Sequence, residues 1–221
     1  MSKHEIIIII PSYNEFNSII TVCRKAKKYG RVLVLDDCST DKTTKILSQN
    51  SIKFIKNKKN LGYEENLIKG LKYVLKYYKG VKYIVTLDAD NELLTKNIPK
   101  LINKIKKNNY DIVVGNRKKL NRFSENILSF IYKVRFNIRD PISGMKIYNI
   151  KILKKIINKI STKMFLVDIL IHAQKYNYAF SNLKINVKRR KGKSKVGNMF
   201  FSNFKIIKII LHVLFLKKSF R

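Results

Sequence analysis

Short apolar runs alternate with longer stretches of helical spacing through the first half of the chain. Strand patterns lie at 5–10, 31–35, 52–55, 83–87 and 111–114, and helical patterns at about 15–28, 42–49, 61–79 and 97–107. Five consecutive isoleucines at 6–10, closed by Pro11-Ser12, read as a strand buried on both faces rather than as a signal peptide. Strand–helix alternation predicts an α/β fold with a mostly parallel central sheet flanked by helices. In such sheets ligands bind beyond the carboxyl ends of the strands. Beyond residue 115 the pattern loosens. It predicts helices near 121–136, 150–160 and 166–176, a short strand near 144–148, and extended chain to about 190.

This order brings three polar segments to one sheet edge. Pro11-Ser12-Tyr13-Asn14 follows the first strand, Asp36-Asp37-Cys38-Ser39 the second, and Asp88-Ala89-Asp90-Asn91-Glu92 the fourth.

Charge sharpens the picture. The 221 residues hold 48 Lys plus Arg against 14 Asp plus Glu, a formal net charge of +34, which implies a polyanionic partner. Six of the 14 acids fall in two windows, Asp36, Asp37, Asp41 and Asp88, Asp90, Glu92, and none lies in the last 53 residues. At 45% hydrophobic the chain can bury a core, which excludes wholesale disorder. Two cysteines, Cys23 and Cys38, make neither a disulfide framework nor a metal cluster and fit a reducing compartment. No uncharged apolar stretch reaches the ~18 residues of a spanning helix.

In an extended segment Asp88, Asp90 and Glu92 would share a face, and three carboxylates on one face call for a cation. An all-oxygen set suits Mg²⁺ or Mn²⁺, with substrate phosphates and water completing the shell. Asp36 or Asp37 would accept hydrogen bonds from a nucleobase or ribose, with Pro11, Ser12 and Tyr13 beside the base. Glycine-rich dinucleotide and P-loop signatures are absent, as are HExxH, CxxC and GxSxG patterns. His4, His172 and His212 are scattered.

The motifs resemble family 2 glycosyltransferases of the GT-A fold. They run in order: 9–15 (IIPSYNE), 34–43 (VLDDCSTDKT), Asn60-Leu61-Gly62 with Gly70, Leu87-Asp88-Ala89-Asp90, Gly115-Asn116-Arg117, Asp140-Pro141-Ile142-Ser143-Gly144, and 189–195 (RRKGKSK). The last three are similar to the branch that holds dolichol-phosphate mannose synthase and other polyprenyl-phosphate glycosyltransferases. The resemblance implies inverting transfer of a sugar from a UDP- or GDP-sugar. Pro11, Ser12, Tyr13, Glu15, Asp36, Asp37, Asp88 and Ala89 would bind the nucleotide-sugar. Asp88 and Asp90 would form the DxD pair, with Asp88, Asp90 and Glu92 as the metal set. Arg117, Arg189, Ser194 and Lys195 would gather donor and acceptor phosphates. Asp90, Arg117, Asp140 and Asp168 are the catalytic candidates. The chain departs from the family at Glu64-Glu65, where small residues are expected, at Asp168, where the family usually has Glu, and in the short segment between Arg117 and Asp140, where Arg122 and Ser124 stand.

Two acceptors remain open. A polyprenyl phosphate is already ionised and needs no protein base; a saccharide hydroxyl in cell-surface glycan assembly needs one, and Asp140 and Asp168 are the downstream candidates. Basic residues outnumber bases there, which favours the lipid phosphate. The chain divides into a catalytic domain at 1–196 and a basic amphipathic tail at 197–221. In the tail, Ser202, Lys205, Lys208 and His212 form a polar stripe on an otherwise apolar helix, read as membrane-interfacial, with packing on the domain or on a partner subunit as the alternative. The expected location is cytoplasmic, peripheral on the cytosolic face of an anionic membrane. Charge alone would also suit a nucleic-acid-binding module, but nucleic-acid-binding signatures are absent, so a nucleic-acid partner is not expected.

Overall fold

A computed structural model describes residues 2–120, 123–161, 164–188 and 206–211. Its strands are β1 (Ile6–Ser12), β2 (Arg31–Asp36), β3 (Phe54–Lys56), β4 (Tyr83–Thr86), β5 (Ile112–Arg117), β6 (Lys146–Asn149) and β7 (Phe180–Ile185). Its helices are α1 (Ile19–Ala26), α2 (Thr43–Gln49), α3 (Tyr63–Tyr77), α4 (Ile98–Lys107), α5 (Phe123–Phe136), α6 (Ile150–Ile156) and α7 (Phe165–Lys175). The strands form one sheet in the order β3-β2-β1-β4-β6-β5-β7. Strands β1 to β5 and β7 run in a common direction, and β6 alone runs against β4 and β5.

Strand β1 is buried on both faces, as the isoleucine run predicted. Ile7 and Ile9 join the core under α3, α5, α6 and α7; Ile6, Ile8 and Ile10 join the core under α1, α2 and α4. Each fully buried Ile adds about 1.5–3 kcal/mol relative to exposure, so the strand that positions the first motif is among the most firmly held. The two cores make the three-layer α/β sandwich that the alternating pattern predicted.

The predicted extended chain before residue 190 is β7, paired parallel to β5. The reversal of β6 has a consequence for the site. Lys146, its first residue, lies opposite Thr86 of β4 and Val114 of β5, so the loop entering β6 sits at the carboxyl edge of the parallel strands. In the tail, residues 206–211 are helical, with Ile206 and Ile209 buried against the core and Ile207 and Leu211 exposed. The rest of the tail, including Ser202, Lys205 and His212, lies outside the described residues.

Candidate active site

The first two motifs are stitched together across the edge. Ser12 is in register with Asp36. Asn14, at φ 55°, takes the left-handed conformation that Asn tolerates. Its N–H donates to Ser39 Oγ (2.9 Å) and its Oδ1 accepts from Thr40 N (2.8 Å). Asp41 closes the motif by accepting from the N–H of Thr43, the first residue of α2, at 2.8 Å. Pro11 is buried in β1, Tyr13 is exposed, and the Glu15 carboxylate accepts from Ser18 Oγ at 2.9 Å.

Asp36 and Asp37 are both buried but have separate parts. One oxygen of Asp36 accepts from Ser39 N and Thr44 Oγ1. Its other oxygen and the neighbouring Ser12 Oγ are buried with no hydrogen-bond partner among the described residues. Two unmet buried polar atoms side by side at a sheet edge are what a polar ligand group would satisfy. Asp37 instead organises protein: Oδ1 accepts from Asn57 Nδ2 (2.8 Å) and Leu61 N (2.9 Å), and Oδ2 accepts from Gly62 N (2.8 Å). It thereby shapes the turn into α3, leaving little acceptor capacity for a base.

Residues 88–92 form a turn, not an extended segment. Asn91 has φ 62°, and Asp90 Oδ1 accepts from Glu92 N at 3.0 Å. The strict alternation expected of three carboxylates on one face is broken for this reason. Among the described residues, no three His, Cys, Asp or Glu side chains gather as a metal-holding group. Asp88 and Asp90 do feel one another. Burial, and then the Asp90 charge, push the Asp88 carboxyl up to about 6. A hard cation beside this pair would relieve that repulsion, and Mg²⁺ is commonly held by one or two carboxylates plus substrate phosphates. Ala89, between them, is buried.

Asp88 is clamped from two sides. Tyr63 Oη donates to Asp88 Oδ1 at 2.8 Å. On the other side a Cβ at Gly144 would collide with both Asp88 oxygens, so only glycine lets the 140–145 loop approach. The same loop fixes Arg117. Asp140, 1% exposed, accepts from Arg117 Nε (2.7 Å) and Nη2 (3.0 Å), and Glu125 Oε2 lies 3.7 Å from Nη2. Burial opposes the guanidinium charge, but the Asp140 bonds and charge outweigh it and push the Arg117 pKa up. Both Asp140 oxygens are occupied, so Asp140 anchors Arg117 here rather than presenting a lone pair to an acceptor hydroxyl.

Asp168 is buried in the first turn of α7, where its charge acts on Tyr132 and His172. Arg122, Arg189, Ser194 and Lys195 lie outside the described residues. Lys188 N donates to Glu92 O at 2.8 Å, which places Lys188 beside Glu92.

Two participants were not singled out from sequence. Lys146 has no exposure; its Nζ donates to Ser143 O at 2.6 Å, and burial, opposed by Asp140, Asp88 and Glu64, lowers its pKa to about 8. Tyr63 falls within the helical pattern at 61–79, which gives its hydroxyl no distinct meaning. A Lys inside the apolar strand sequence Met145-Lys146-Ile147-Tyr148 was the available signal for the first. For the second, its place immediately after Gly62 was the available signal.

The family model for Glycosyl transferase family 2 matches residues 7–157, which span every motif from β1 through the 140–145 loop. The chain belongs to this family. Among relatives of this glycosyltransferase, an uncharacterized Methanocaldococcus jannaschii protein is 26% identical over 97% of this chain and 95% of its own length. The UDP-N-acetylglucosamine–dolichyl-phosphate N-acetylglucosaminyltransferase of Methanococcus voltae is 27% identical, covering 75% of this chain and 77% of the relative. Glucosyl-3-phosphoglycerate synthase of Mycobacterium tuberculosis, crystallised with Mn²⁺ and UDP-glucose, has the same fold. It superposes with a TM-score of 0.71 at 16% identity, over 95% of this chain and 77% of that one.

Proposed function

We propose that this family 2 glycosyltransferase moves a sugar from a UDP- or GDP-sugar to a polyprenyl phosphate at an anionic membrane surface. The observation that carries the acceptor choice is helix α5. Phe123, Ile127, Phe130 and Val134 are 79%, 39%, 68% and 74% exposed and recur at helical spacing, opposite the buried Leu128, Tyr132 and Phe136. This apolar stripe starts two residues before Glu125, whose carboxylate lies 3.7 Å from Arg117 Nη2. Exposed Lys118, Lys119, Lys133 and Arg139 accompany it. The only acids from Ile112 to the end of the chain, Glu125, Asp140 and Asp168, are all buried. A surface that is apolar along a helix and purely basic around it complements an anionic leaflet, at about 1 kcal/mol for each surface-apposed Lys or Arg. The Methanococcus voltae relative, named for transfer to dolichyl phosphate, supports the same acceptor class.

In this reading Ser12 Oγ and the unmet oxygen of Asp36 receive the nucleoside, with Pro11, Tyr13 and Glu15 lining its side. Asp88, Ala89 and Asp90 face the diphosphate, and Asp90 and Asp88, with Glu92 beside them, would hold Mg²⁺ or Mn²⁺. When bound, that cation neutralises charge developing on the departing diphosphate. The Mn²⁺ in the Mycobacterium tuberculosis structural neighbour supports a divalent ion. Arg117, preset by Asp140, offers its remaining donors to phosphate oxygens. Arg189, Ser194 and Lys195 supply further phosphate contacts. The acceptor phosphate oxygen forms the new bond at the anomeric carbon as the bond to diphosphate breaks, and the nucleoside diphosphate leaves with the electron pair. No protein base is required, in keeping with both Asp140 oxygens being engaged by Arg117.

A panel of UDP- and GDP-sugars screened by thermal shift with Mn²⁺ should single out a stabilising donor, the shift growing with ligand concentration over Kd. With that donor, label should pass to polyprenyl phosphate, and Asp90→Ala should lower transfer by at least ~100-fold. Normal turnover by that variant, or transfer only to saccharide hydroxyls, would overturn the reading.

A further inference from the structure

The nucleotide and diphosphate sides of the edge are separate in sequence, yet one short segment touches both. Asp37 receives the N–H groups of Leu61 and Gly62 at 2.9 and 2.8 Å. Gly62 stands at φ 82°, ψ 163°, a conformation essentially reserved for glycine, and is the N-cap of α3. The next residue, Tyr63, reaches across to Asp88 Oδ1 at 2.8 Å. Asn57 braces the same turn, donating from Nδ2 to both Asp37 Oδ1 (2.8 Å) and Asn66 Oδ1 (2.9 Å), while Asn66 Nδ2 is tied to Leu35 O of β2 (2.9 Å). The strap is thus anchored at both ends and in the middle.

A carboxylate beside another carboxylate will swing away from it unless held. Asp88 is held: its Oδ1 accepts the phenol, and the Gly144 backbone closes its other flank. One Asp88 oxygen is committed to Tyr63, and no hydrogen bond among the described residues engages the other.

We propose that Tyr63 is a positioning residue that presets Asp88 for the divalent cation and, through Gly62, couples that carboxylate to Asp37 at the nucleotide side. The proposal rests on the nucleotide-sugar reading above and adds to it a residue and a linkage. Hydrogen-bond partners of metal-binding carboxylates typically contribute 10–100-fold to affinity. Tyr63→Phe keeps the ring and its packing and removes only the hydroxyl.

The test uses the full chain without acceptor. Mn²⁺ affinity is read by electron paramagnetic resonance, and affinity for UDP and GDP by calorimetry in EDTA. Tyr63→Phe should bind Mn²⁺ about ten-fold more weakly, with nucleotide affinity in EDTA held within about two-fold. Tyr77→Phe, an exposed control on the same helix, should change neither. Gly62→Ala, which keeps the hydroxyl but strains the joint between it and Asp37, should weaken Mn²⁺ and nucleotide binding together. Unchanged Mn²⁺ affinity in Tyr63→Phe would overturn the proposal while leaving the glycosyltransferase function intact. So would equal loss of metal and nucleotide binding in that variant, the signature of general disruption. If Gly62→Ala lost only one of the two affinities, the coupling would be refuted. A parent chain that binds neither Mn²⁺ nor UDP nor GDP would remove the proposed function and this inference with it.

Discussion

Asp88 is pinched between a donor, a neighbouring acid and a backbone that leaves no room for a side chain. With its carboxyl raised to about 6, the metal-free native chain holds a proton between roughly pH 4 and 6 that an unfolded Asp has released. This group therefore adds stability as pH falls through 6 toward 4, the reverse of an ion-paired Asp. Metal binding has the opposite sign, because the cation must displace the proton. Mn²⁺ affinity should hold above pH 7 and weaken about ten-fold for each unit below 6, read by Mn²⁺ titration from pH 5 to 8; a flat response between 5 and 7 would contradict the environment described for Asp88. The acids at 88 and 90 stood out in sequence because so few acids exist elsewhere. Lys146 and Tyr63 did not, because a Lys in a strand and a Tyr in a helix acquire their meaning only from what lies across the sheet. The part of Asp140 was hidden for a similar reason: its partner Arg117 is 23 positions away, and only the reversed strand β6 brings the two together.

Helix α5 is apolar on two opposite faces, and only one of them is used by the fold. Replacing both Phe130 and Val134 with Ser should leave thermal stability within about 1 kcal/mol, since both are on the surface. The same change should lower co-sedimentation with phosphatidylglycerol vesicles several-fold. Retention of full binding would assign membrane contact elsewhere, and loss of a dimer instead would make the face a protein interface. Most elements were legible from periodicity because both cores are built from strictly spaced Ile, Leu and Val. The exposed stripe was not, because periodicity reports that a face is apolar and not whether it is covered. The direction of β6 was equally hidden, since a four-residue strand carries no mark of orientation. The turn at 88–92 overrode the expected alternation once Asn91 took a positive φ.

At the scale of the molecule, charge is divided by position more than by amount. Beyond Ile112 every exposed charged residue among those described is basic, while the donor-side half retains the exposed or half-exposed acids Glu5, Glu15, Asp41, Glu65, Asp88, Asp90, Glu92 and Asp111. Attraction to an anionic leaflet should therefore draw mainly on one half of the sheet and orient the approach. Raising NaCl from 50 to 500 mM shortens the Debye length from about 14 to 4 Å and should release much of the vesicle-bound protein, leaving a salt-resistant share owed to the α5 stripe. Salt-independent binding would argue against electrostatic docking. The Arg117–Asp140 ion pair closes the base of the 118–139 excursion as a clasp closes a necklace. What hangs from a clasp can be exchanged. Lengthening a loop within it costs only about 0.6 kcal/mol per doubling, whereas α5 stays tied to the site by Glu125 beside Arg117 and to the core by Leu128, Tyr132 and Phe136. The exposed loops flanking α5 are thus the natural place for insertion and for grafting. Insertions there would alter what the clasped segment presents while leaving the strands that carry Asp36 and Asp88 unchanged.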